Sequence, residues 1–199
     1  MLDLLLTNSL IVAAIWAGMY IFDYASTLWL AKAYQDTLSK YNLYEGGVEL
    51  NPVFEKEIAR RQKVSPKFVA ALGIYFLVIV FSKYVGRLFF EFLAGALLLT
   101  WLFIDLRHLR NYAYIWFLRT KPNAIKVESG PHTFSYWLLQ RLISMEAINF
   151  GVLYFLITFL TLRLFFFGGG FTCLALAWRH WRLANRKLPQ IRQNESRTN

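Results

Sequence analysis

Apolar runs close to the ~20 residues a helix needs to cross a bilayer recur from the start of the chain to Trp178. In hydrocarbon no water satisfies the backbone, so each run must close its own N–H···O=C bonds, and a helix does so within the segment. Composition agrees. Of 199 residues, 57% are hydrophobic and 18% aromatic, above the roughly 45–50% apolar share of soluble domains. The expected fold is all-α, a polytopic transmembrane helix bundle, with residues 1–188 forming one domain.

Five spans are expected, at about 4–33, 66–84, 88–105, 145–162 and 164–178. The opening MLDLLLTNSLIVAAIWAG has the apolar core of a signal peptide but carries Asp3 in place of a basic n-region and runs on unbroken. It therefore reads as a retained first helix, interrupted by Asn8 and Asp23. Gly46-Gly47 marks a turn, and Asn51-Pro52 a helix start, since asparagine caps and proline suits the first helical position. The short helix from Pro52 to Gln62 sets Val53, Phe54 and Ile58 opposite Glu55, Glu57, Arg60 and Arg61. It is expected to lie on the membrane surface. Ser65-Pro66 repeats the cap-plus-proline signal, and Lys83, Gly86 and Arg87 form a hairpin. Glu91, four residues after Arg87, has a local ion-pair partner there.

Beyond Asp105 the third helix continues as DLRHLRNYAYIWFLR, basic and aromatic, as an interfacial segment. Residues 120–133 contain Pro122, Gly130 and Pro131 and read as a loop. A short amphipathic lead-in from Ser135 precedes the fourth span, and Arg163 stands alone between two apolar runs. Gly168-Gly169-Gly170 permits close helix approach while weakening its own helix. Residues 189–199 read as a disordered basic tail. No internal repeat is visible, which argues against an inverted-repeat transporter.

A net charge of +10 suggests nucleic acid, but the distribution of the charge excludes it as a partner. The basic residues sit at the ends of apolar runs, where they orient helices and touch anionic headgroups of the bilayer. The Lys32–Lys67 segment holds seven Lys and Arg, Arg107–Arg141 six and the tail from Arg179 six, against only Lys83, Arg87 and Arg163 on the other side. Nineteen against three puts the N-terminus out and the C-terminus in the cytoplasm, in a prokaryotic cytoplasmic (inner) membrane. Cys173 is the single cysteine and reads as a small packing residue.

This orientation gathers the ionisable groups on the cytoplasmic side. Asp23, Asp105 and Glu146 lie toward the inner ends of three helices, and Glu49 in a loop on the same side. Intramembrane acids are costly unless partnered or hydrated, which makes them candidate functional residues. Asp105 and His108 share a helix face, so a divalent metal held by Asp105, His108, Asp23 and Glu49 is one reading. The same four would then serve as catalytic groups of a metal-dependent hydrolase acting on a lipid or peptide, with Arg107 or Arg110 stabilising a developing anion. A second reading is headgroup contact by Arg107, Arg110 and Asn111 among interfacial aromatics. A third is ion or proton coupling through Asp23 and Glu146, which five spans would support only in a homo-oligomer or membrane complex. The plainest is a helix clasp. In it Asp23 pairs with Arg107 or Arg110, Glu49 and Asn51 fasten the loop, and Thr27, Glu146 and Asn149 complete a structural polar cluster. A structural or interaction role is the expectation.

Asp23-x-x-x-Thr27, followed by Gly46-Gly47 and Glu49-x-Asn51-Pro52, resembles a D-x-x-x-T…E-x-N-P pattern of small, uncharacterised prokaryotic membrane proteins. The likeness covers about 30 residues, and the linker here is longer and more polar than in that pattern. It implies that these five positions belong together and carries no mechanism.

Overall fold

In a computed structural model, residues 2–36, 42–44, 60, 62–120 and 132–198 are described. Six helices, α1 (Leu2–Thr7), α2 (Ser9–Asp36), α3 (Pro66–Val85), α4 (Arg87–Thr120), α5 (Tyr136–Thr161) and α6 (Leu164–Thr198), account for almost all of them. Strands β1 (Asn42–Tyr44) and β2 (His132–Phe134) pair in parallel, with Asn42 opposite His132. That pairing brings the segments after α2 and α4 to the same end of the bundle. The proposed turn at Gly46-Gly47, the Asn51-Pro52 helix start, Glu49 and most of the surface helix to Gln62 lie outside the described residues.

Local chemistry sets the helix boundaries. Of the two expected interruptions in the first helix, only Asn8 breaks it: its Oδ1 accepts the Leu10 N–H at 2.9 Å and opens α2. A short polar side chain competes with the helix in this way, whereas Asp23 finds its partner on another helix and leaves α2 unbroken. Pro66 opens α3 as expected, although the Ser65 hydroxyl makes no capping bond. Gly86 alone joins α3 to α4, with φ of +152°, a conformation that side chains with a Cβ avoid. The expected lead-in at Ser135 and the fourth span form the single helix α5. Leu162, left-handed at φ 54°, ends it by donating its N–H to Thr158 O at 2.7 Å. α6 runs past Trp178 as far as Thr198, through the stretch read as a tail.

Four helical segments are long and apolar enough to cross a membrane: Ser9–Ala33, Pro66–Val85, Arg87–Phe117 and Trp137–Thr161. Large apolar side chains such as Ile11, Leu77, Phe81, Val152, Phe159 and Leu160 point outward from them. The protein is an integral membrane protein on these grounds, because such an exterior suits lipid and not water. The apolar part of α6 is shorter, 164–178, and α6 is not among the four.

Packing runs α3–α2–α4–α6–α5, with the α5–α6 pair the most extensive. Between α2, α3 and α4 an aromatic stack forms the core: Trp16 on Tyr20 at 5.1 Å, Tyr20 on Phe68 at 4.9 Å, and Trp101 edge-on to Trp16 at 5.6 Å. α4 and α6 approach through glycine. A Cβ added at Gly168 would lie 2.0 Å from Phe92 O, and one at Gly95 1.7 Å from Phe165 O. The expected role of the glycine run in close approach is met at Gly168 and Gly169, and Cys173 is a buried packing residue beside it. Thr172 adds a polar stitch, its Oγ1 lying 2.6 Å from Thr100 Oγ1.

Candidate functional site

The ion pairs among the described residues collect at two levels of the bundle. At one end Arg163 binds both carboxylate oxygens of Asp3, at 2.7 and 2.8 Å, and lies 4.0 Å from Glu91. Lys83 donates to Thr7 O at 2.6 Å nearby. Arg163 is thus not alone, and Glu91 is served by Arg163 across the bundle in place of Arg87. At the other end Asp23, Asp105, Arg107, His108, Arg110, Glu146, Gln140 and His180 form the second level. Glu91 and Arg107 are sixteen residues apart on α4, which is about 24 Å at 1.5 Å per residue. Leu164, next to Arg163, and His180 are sixteen residues apart on α6, again about 24 Å. Both values are close to the ~30 Å of a bilayer's hydrocarbon core.

Within the second level, helical spacing divides the residues of α4 between two neighbours. Asp105, His108 and Tyr112, at i, i+3 and i+7, turn toward α2, and Phe103, Arg107 and Arg110 turn toward α5. On the α2 side His108 Nε2–H donates to Asp23 Oδ1 at 2.7 Å. His108 Nδ1 is buried with no partner among the described residues. Asp105 is buried, with Oδ1 equally unpartnered, and lies within electrostatic reach of Asp23. Asp23 therefore pairs with His108, not with Arg107 or Arg110 as the clasp reading had it. The arginines point to another helix.

On the α5 side Glu146 receives both. Arg110 Nη1 donates to Oε1, and Arg107 Nε lies 3.1 Å from Oε2, close enough to ion-pair though not aligned for a hydrogen bond. Arg107, Arg110, Glu146 and Asn149 line a cavity of about 230 Å³ with Phe103, Leu106 and Phe150. The Phe103 and Phe150 rings meet at 5.0 Å, and the Arg107 guanidinium sits 5.7 Å from the Phe103 centroid. Of the groups read as headgroup contacts, Arg107 and Arg110 both face Glu146; further along α4, Arg119 lies 5.8 Å over Trp29, which meets Tyr112 at 4.3 Å.

Other sequence candidates fare differently. Thr27 and Asn111 are half-buried near the cluster and make no hydrogen bond with it. Glu49 lies outside the described residues. Among the described residues no three of His, Cys, Asp and Glu gather closely enough to hold a metal ion. Of the four groups of the metal reading, His108 bonds Asp23 and Asp105 lies beside that pair, while Glu49 is outside the described residues.

His180, one residue into the tail that begins at Arg179, belongs to the same level. Its Nδ1–H donates to Oε1 of Gln140, a side chain with no solvent exposure. Burial, reinforced by the charges of Arg107 and Arg179, pushes its pKa down to about 4, so the ring is neutral at pH 7. Ser144 Oγ donates to Ala177 O at 2.8 Å, and Arg141 bonds Asn185 at 2.7 Å while stacking 3.6 Å from the Trp181 centroid. A signal was present. Cys173, Ala177, His180 and Ala184 follow at helical spacing, so the packed face of α6 continues past Trp178. The chain matches no protein-family model, no curated protein and no solved structure.

Proposed function

We propose that this is a five-span protein of a prokaryotic cytoplasmic membrane, N-terminus out and C-terminus in, whose inner polar level clasps the helices in a structural or interaction role. The observation that carries the reading is that the acids Asp23 and Glu146 are engaged by bases on a different helix. A clasp of this kind fixes register between helices that lipid alone would leave free to slide. The fifth span is α6, supported by Arg163 at one polar level and His180 at the other with apolar residues between. The Lys and Arg bias supports the orientation, and the β1–β2 pairing agrees with it by bringing two connecting segments to one end.

A double-mutant cycle tests the clasp. Asp23→Asn and His108→Gln should each lower thermal stability in detergent, and the double variant should cost no more than either alone. Strict additivity of the two would refute the clasp. Protease-accessible tags at the two termini should report opposite sides of the membrane.

One observation favours a second reading. Asp105 carries a buried carboxylate oxygen with no partner among the described residues, beside the Asp23–His108 pair, an arrangement suited to holding and passing a proton. Proton flux in proteoliposomes that disappears in Asp105→Asn while the fold is retained would select this reading over the clasp.

A further inference from the structure

We propose that the groove between α4 and α5 is a binding site for the headgroup of an anionic phospholipid, with the phosphate held by Arg107 and Arg110. The fold explains why a groove exists there. α4 and α5 each pack on α6, and their backbones approach each other little. The gap left at the inner level is the 230 Å³ cavity. Two guanidinium groups meet one carboxylate in its lining, leaving a positive balance that Glu146 does not cancel. The Arg110 side chain is 59% exposed and keeps donors free for a further acceptor. Asn149, one turn from Glu146 and exposed, offers an amide on the opposite wall. Phe103, Phe150 and Leu106 make the rest of the lining apolar, as the glycerol and first methylenes of a lipid require.

The position favours lipid as the source of the phosphate. Leu102 on α4 and Met145 and Val152 on α5 are exposed beside the groove, so its approaches run along the apolar surface of candidate spans. Arg110 lies nineteen residues from Glu91, about 28 Å, which is the depth at which the far leaflet's phosphates begin. The proposal rests on the bilayer placement given above, not on the direction of insertion or on the clasp.

The test uses the full-length protein, purified in detergent and offered equal amounts of phosphatidylglycerol and phosphatidylcholine, with retained lipid read by native mass spectrometry. Wild type should retain phosphatidylglycerol preferentially. Arg110→Gln should reduce that preference about fivefold, the effect of one basic residue at an anionic lipid surface. Arg182→Gln, an exposed arginine outside the groove, should leave it unchanged. Glu146→Gln removes the competing carboxylate and should raise the preference even while weakening the clasp, which separates lipid binding from a purely structural role. Equal retention of both lipids, an equal loss in Arg182→Gln, or a fall in Glu146→Gln would overturn the proposal. So would displacement by inorganic phosphate beyond that by chloride at matched ionic strength, which would give the groove to a free anion. Because lipid is added on all sides in detergent, a wrong orientation leaves these results unchanged and shows only in the tag experiment.

Discussion

The two polar levels of the bundle are built from the same residue types and differ in what surrounds them. At the Asp3–Arg163–Glu91 level Asp3 is 64% exposed, and Arg163 reaches two acids from a two-residue connection. At the Asp23–His108 and Arg107–Arg110–Glu146 level the partners sit in the middle of long helices, 14–30% exposed except for Arg110. Exposed pairs exchange water contacts for one another at little net gain, whereas buried groups are expensive to leave alone. The Asp3–Arg163 pair is therefore a tether near a helix end, whereas the Asp23–Glu146 level, like the buried Glu91 beside Arg163, is where removing one group strands another.

Four changes would break or sharpen this contrast. The largest effect is expected between the levels, at Gly168→Ala. The new Cβ, 2.0 Å from Phe92 O, must push α4 from α6 and disturb both levels together, costing about 3 kcal/mol or more in thermal or denaturant unfolding. Glu146→Gln comes next. It leaves Arg107 and Arg110 facing each other without their acid, and should cost about 2 kcal/mol in lipid-free detergent.

Acidification should act on the Asp23–Glu146 level through His180. Its folded pKa of about 4 lies below the ordinary 6.5, so the unfolded chain binds a proton first as pH falls. The stability contributed by the neutral ring is complete above pH 6.5 and is lost between 6.5 and about 4, by up to roughly 3 kcal/mol less solvent screening. His180→Gln should flatten that part of the pH–stability curve, and a slope unchanged by the substitution would remove His180 from the account. The smallest effect belongs to Asp3→Asn, under about 1 kcal/mol and diminishing further in high salt. A larger loss there than at Glu146 would invert the comparison.

Much of this architecture was legible from residue order. The run length of apolar residues dictated spanning helices because backbone groups in lipid have no other partner, and Ser65-Pro66 and Gly86 marked their boundaries through local geometry alone. The glycine run announced close approach. Helical spacing also placed Asp105 with His108 on one face of α4. What spacing does not encode is which neighbour a face meets. Asp23 was assigned to arginines that turn toward α5, and Glu91 to the local Arg87 when its partner, Arg163, comes from the far end of the chain.

The sequence by itself determined a basic, helical, membrane-spanning chain with acids inside its apolar segments, since hydropathy and periodicity are properties of single segments. Only the tertiary structure decided that α6 lies between α4 and α5, that His180 belongs to the buried cluster, and that two arginines share one glutamate over an open groove. Those facts depend on helix order and rotation in the bundle. They follow from side-chain fit between segments far apart in the chain, which no single segment specifies.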